Sequence, residues 1–181
     1  MKFLKYALLA STLIFASCSD DDDNTPDPVN EEEVITTLTV TLESGSDTVV
    51  MQYQDLDGDG PDAATVTVSG SLNANTTYDG SIVLLNETES PAENVTEEIE
   101  EEDLDHQFFY TVGSGLDVTT DYTSFDSAGN PLGVTFVLNT AGASSGGLTF
   151  TLRHEPNKPN TGLDNAGGET DIEVTFDVSV E

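Results

Sequence analysis

From Val34 onward, apolar and polar residues alternate with a period of two along most of the chain. Leu38, Val40 and Leu42 interleave with Thr37, Thr39 and Thr41. Successive side chains of a strand point to opposite faces, so this spacing predicts half-buried β-strands. The pattern returns at Val49, Met51 and Tyr53, and at Val66 and Val68. Residues 77–86 set Ile82 and Leu84 against Val83 and Leu85, a strand apolar on both faces. Further strands are expected at Phe108–Tyr110, Leu116–Tyr122, Val134–Leu138 and Leu148–Leu152, and the cleanest one runs from Ile172 to Val180. Turn-forming residues separate most of them. Asp126-Ser127-Ala128-Gly129-Asn130-Pro131 predicts one hairpin turn, and Ala141 to Gly147 another. About nine short strands, too close together for parallel crossovers, predict a mostly β fold, an antiparallel β-sandwich.

One segment breaks the period. Ser90-Pro91-Ala92-Glu93 has the form of a capping box, with Ser90 as N-cap and Pro91 at the first helical position. Ala92, Val95 and Ile99 then share a stripe, while Glu93, Glu97, Glu98, Glu100, Glu101 and Glu102 cover the rest. The expectation is one short acidic helix of about three turns, with one face packed on the sandwich. Its like charges oppose one another and the helix dipole, so packing or a cation must hold it.

Charge narrows the function. The 181 residues carry 35 acids against 4 Lys and Arg, a formal charge of −31. Such a field repels phosphate backbones and anionic headgroups, which excludes nucleic-acid binding and basic-patch membrane binding. A single cysteine excludes a disulfide framework and a cysteine-based zinc module.

The amino terminus has the plan of a secretory leader. Lys2 and Lys5 precede an apolar run, Ala7 to Phe15, that is too short to span a bilayer permanently. Phe15-Ala16-Ser17-Cys18 follows, and it resembles the lipobox of bacterial lipoproteins. That resemblance implies cleavage before Cys18 and acylation of Cys18 with palmitate-type chains, a membrane anchor with no spanning helix. Ser19-Asp20-Asp21-Asp22-Asp23 resembles the surface-export signal of Bacteroidota lipoproteins, which implies an outer-membrane, outward-facing location; a plain acidic spacer is the alternative. The expected organisation is therefore a signal peptide at 1–17, an acylated cysteine with an acidic tether at 18–33, and the sandwich at 34–181. Leu84 to Tyr110, Leu152 to Lys158 and Asn165 to Val178 resemble small flavobacterial lipoproteins that go under the name "type 1 periplasmic binding fold superfamily". The resemblance implies class and location, and no chemistry.

Three features carry candidate chemistry. Asp55, Asp57 and Asp59 alternate on a Gly-rich turn that ends at Asp62, and the four can converge oxygens on calcium. The twelfth position of that loop is Val66, which excludes an EF-hand; an Asx- and Gly-rich connection is the alternative. The chain has two histidines, His106 and His154, both beside acids at strand ends. With Glu102 and Glu155 they form a candidate zinc or copper shell, against the alternative of two separate surface histidines pairing locally. The acidic helix is a candidate weak cation sponge or simply a solvated face. The long 155–170 loop reads as binding or mobile. No nucleophile elbow, HExxH or phosphate-cradling loop occurs, so the expectation is a binding protein and not an enzyme. The leading reading is an acyl-anchored, non-catalytic module that handles divalent metal ions for an outer-membrane uptake receptor. The alternative is a structural or adhesive surface module.

Overall fold

A computed structural model describes residues 33–58 and 60–181. The expected signal peptide, Cys18, most of the acidic tether and Asp59 lie outside the described residues. The described chain is a mostly β fold of two antiparallel sheets, consistent with a β-sandwich. Its elements are β1 (Thr37–Ser44), β2 (Asp47–Gln54), β3 (Thr65–Val68), β4 (Thr77–Asn86), β5 (Glu93–Asn94), α1 (Val95–Glu101), β6 (His106–Val112), β7 (Val118–Tyr122), β8 (Thr135–Thr140), β9 (Ser144–His154), α2 (Leu163–Ala166) and β10 (Glu169–Val180). The larger sheet has the order β3-β2-β1-β4-β8-β7, with β5 added to the end of β4; the smaller is β10-β9-β6.

The alternation seen in the sequence sets the inner faces. Leu38, Val40 and Leu42 of β1 are fully buried, as are Phe108 of β6 and Leu148, Phe150 and Leu152 of β9. Leu72, from the link between β3 and β4, bridges to Val180 and covers the far end of β10. Tyr110, Phe136, Phe150 and Phe176 form a chain of ring contacts through the middle, with centroids 4.6–6.0 Å apart. Aromatic pairs at such spacings add to the area they bury. Val66, by contrast, is 47% exposed on the edge strand β3.

Two local expectations are corrected. The helix starts at Val95, not at Pro91, and has two turns. Glu93 and Asn94 pair instead with Asn86 and Leu85, so the ladder takes the residues that the capping pattern assigned to the first turn. Val95 and Ile99 are buried as predicted, but Ala92 is exposed. Thr96 fixes the helix to β4: its hydroxyl accepts from the Leu84 N–H at 2.7 Å. The second correction concerns Ala141 to Gly147. β8 and β9 lie in different sheets, so this segment crosses the sandwich and does not close a hairpin. The turn at 126–131 does join the antiparallel pair β7–β8.

Gly80 shows how tightly the core closes. It takes a core-facing position in β4, where a Cβ would meet the Phe136 ring at 2.5 Å. Gly80→Ala therefore forces that ring out of its packed position and should cost roughly 1–3 kcal/mol. Urea unfolding that gives an unchanged midpoint would show that the ring moves freely.

Candidate metal centre

The two histidines meet. His106 is the first residue of β6 and His154 the last of β9, and antiparallel pairing sets them opposite each other. By the same alternation both point to the core side, in line with Phe108 and Leu152. Their ring centroids are 4.7 Å apart. Both rings lie at the end of the smaller sheet, where the apolar series stops, and His106 is fully buried.

Two acids complete the cluster. Glu33 lies in the segment that leads into β1, and its side chain is 5% exposed. Its Oε1 is 3.0 Å from His106 Nε2 and its Oε2 is 3.6 Å from His154 Nδ1. Asp171 sits at a β-bulge: β10 slips register against β9 between Thr170 and Ile172. Regular alternation from Ile172 would place Asp171 on the outer face. The extra residue turns it inward, which is what a bulge does to a strand. Its side chain is 2% exposed, with Oδ1 3.9 Å from His154 Nδ1. One donor atom from each of Glu33, His106, His154 and Asp171 falls within 4.8 Å of all the others, and the group can hold a metal ion.

The hydrogen bonding of His106 sharpens this. His106 Nδ1 lies 3.2 Å from the Glu102 carbonyl oxygen, which can only accept. Nδ1 therefore carries the proton, and in the neutral ring Nε2 is a bare lone pair facing the Glu33 carboxylate. Two lone pairs do not attract; a second proton or a cation between them does. Glu33 Oε2, His106 Nε2 and His154 Nδ1 are buried without a hydrogen-bond partner among the described residues. Each such atom costs about 1–3 kcal/mol when left unmatched in the interior. The Glu33 carboxylate faces both histidine nitrogens, at 3.0 and 3.6 Å, so one ion held between them could satisfy all three residues.

The surroundings favour a cation. Burial, followed by the charges of Glu33, Glu93 and Glu102, pushes the carboxyl of Glu98 on α1 above its usual range. The charge of His106 offsets this only in part.

The acids expected beside the histidines are placed elsewhere. Glu102 caps α1 and contributes its carbonyl, not its carboxylate. Glu155 is exposed, with a left-handed φ of 47°, and its N–H donates to the Asp105 carbonyl. The calcium reading of the 55–62 loop gains no convergent oxygens among the described residues. Asp55 Oδ1 accepts from the Asp57 N–H and Asp57 Oδ2 from the Asp62 N–H, so these carboxylates serve the local turn. Asp59 lies outside the described residues.

The 155–170 loop, read as binding or mobile, forms α2 and folds back against the smaller sheet. Gly167 and Gly168 take positive φ values of 66° and 70°. A Cβ on Gly168 would lie 2.1 Å from the His154 carbonyl oxygen, so only glycine lets the chain pass behind that histidine. Lys158 ties the loop to the site: its Nζ donates to the carbonyls of Asp103 and His106 and to Asp126 Oδ2 at 3.1 Å. A cleft of about 460 Å³ lies under the same loop, against Phe109, Tyr110 and Tyr122. The hydroxyls of Tyr110 and Tyr122 are spent on the carbonyls of Gly133 and Phe108.

The Lys158–Asp126 pair is buried, with side chains 7% and 0% exposed. Burial pushes the Asp126 carboxyl up, but hydrogen bonds from Asn130 and Lys158 and the Lys158 charge outweigh it, so the group titrates below its usual range. A depressed folded-state value adds stability above the unfolded value, lost as pH falls through the folded one. Asp126→Asn leaves the ammonium without its counter-charge and should cost about 3–5 kcal/mol at neutral pH. Thermal melts should show the gap between the two proteins closing below about pH 4. A gap that stays constant down to acid pH would contradict the pair's role.

Neither protein-family models, curated protein sequences nor solved structures provide a match to this chain.

Proposed function

We propose that the chain is a lipid-anchored, outer-membrane or cell-surface metal-binding module, with one divalent transition-metal ion held by Glu33, His106, His154 and Asp171. The observation that carries this is the set of three buried, mutually facing donors without hydrogen-bond partners. Two imidazoles disfavour calcium and magnesium, which take oxygen ligands, and suit zinc or copper. Four protein donors of nitrogen and oxygen, all nearly sealed from solvent, fill the tetrahedron of a structural zinc site and leave no open position for a substrate. Zinc is therefore the first choice, and the site binds without catalysing. Burial of all four donors favours an ion that is kept over one passed to an uptake receptor. The anchor rests on Lys2, Lys5, the apolar run to Phe15, and Cys18.

Donor spacing supports the same reading. Two ligands about 2.0–2.2 Å from one zinc ion lie roughly 3.4 Å apart in a tetrahedron. His106 Nε2 is 3.0 Å from Glu33 Oε1, while His154 Nδ1 is 3.6 Å from Glu33 Oε2 and 3.9 Å from Asp171 Oδ1, so the donors stand near that spacing and a bound ion would draw the wider pairs inward.

Elemental analysis after equilibrium dialysis against zinc should find one ion per chain, lost in His106→Ala plus His154→Ala. Chelation should lower the melting temperature. Free zinc at 100 times its dissociation constant contributes about 2.7 kcal/mol to the folded state, which is roughly 5–11 °C for a domain of this size. Zinc content unchanged by the double substitution would refute the site.

A further inference from the structure

The four donors come from unequal sources. His106, His154 and Asp171 belong to the three strands of the smaller sheet. Glu33 alone comes from the other side, four residues before β1 of the larger sheet. We infer that the ion is a clasp: metal occupancy decides whether the arm 33–35 is fastened across to the smaller sheet or let go. This inference rests on the metal-binding reading proposed above and adds a consequence to it.

The anchoring of the arm changes character at Thr36. The Thr36 N–H donates to the Leu85 carbonyl at 3.0 Å, its hydroxyl accepts from the Glu87 N–H at 2.9 Å, and its carbonyl accepts from the Asp55 N–H at 2.8 Å. These bonds hold without any ion. Upstream of Thr36, residues 33–35 make no backbone hydrogen bond to another described residue. Val34 is 56% exposed, and Ile35 packs only partly on the core. The Glu33 carboxylate is thus the main fastening of the arm, and it faces a bare His106 nitrogen. With a cation between them the contact attracts. With neither a cation nor a second proton on His106, a carboxylate beside another lone pair in a buried site gains by moving out to water.

The three strand donors need no such movement, because the sheet register holds both histidines and the bulge holds Asp171. The site is a half-built cradle closed by the chain segment that leads back toward Cys18. Three residues span about 10 Å when extended. Metal loading therefore moves the point at which the chain joins the sandwich by up to that distance.

The chain has no tryptophan, so Val34→Trp in the full chain places a single reporter on the exposed position beside Glu33. The protein is stripped with chelator and titrated with zinc chloride at neutral pH while indole anisotropy and bound zinc are measured together. The clasp predicts an anisotropy rise that saturates at one zinc per chain. Adding Glu33→Gln should abolish the rise while zinc still binds, weakened by more than the roughly 10- to 100-fold lost with an outer-shell partner. Val34 methyl line widths in the unsubstituted chain give the same readout without the indole. Zinc bound with unchanged anisotropy and line widths would overturn the clasp and leave the metal site standing. A full rise in the Glu33→Gln protein would also overturn it. No zinc bound would overturn both.

Discussion

A buried carboxylate held 3.0 Å from an imidazole nitrogen whose partner nitrogen already donates its proton is the constraint around which this end of the molecule is built. Such a pair is stable only with a positive charge between or upon its members. The surrounding structure fixes the geometry and supplies few other cations. Lys158 is spent on Asp126 and two carbonyls, and Arg153 donates to Gly167 and Thr170 on the outer face of the sheet. The positive charge must then come from a bound ion or from protons on the histidines, and the sealed, convergent donors favour the ion.

The sandwich explains why the donors can meet at all. Side chains of β6 and β9 keep one phase from the ring cluster in the middle to the histidines at the end, so packing of Phe108 and Leu152 also aims His106 and His154. The register slip at Asp171 supplies the third donor, and the entry into β1 supplies the fourth. The loop behind the site, threaded past His154 through Gly168 and pinned by Lys158, braces the backbone of both histidines. Support of this kind, one shell out from the donors, is what keeps a metal site in shape.

Much of the fold was legible in the alternation of apolar residues. Strand positions such as Leu38–Leu42 and Ile172–Val180 need only the period of two. The capping pattern at Ser90 misled because Glu93 and Asn94 gain more from pairing with β4 than from a first helical turn. The segment at Ala141 carries ordinary turn residues whether it closes a hairpin or crosses between sheets, so local chemistry cannot separate the two. The histidine pair is visible in the sequence as a scarce residue type beside acids, but the neighbouring carboxylates of Glu102 and Glu155 are not the ones that reach it. Glu155 follows His154 directly, and regular alternation sends such neighbours to opposite faces. Asp171 was hidden by its bulge, since its phase with Ile172 points it outward. Glu33 was hidden among Glu31 and Glu32, with nothing but its place at the end of the acidic run to single it out.

The most direct test of the central claim is zinc K-edge X-ray absorption on the full chain loaded with one equivalent of zinc. A zinc ion held by Glu33, His106, His154 and Asp171 should give a four-coordinate shell of nitrogen and oxygen at about 2.0 Å, with the outer-shell scattering of two imidazole rings. A six-coordinate shell of oxygen alone, without imidazole scattering, would contradict it.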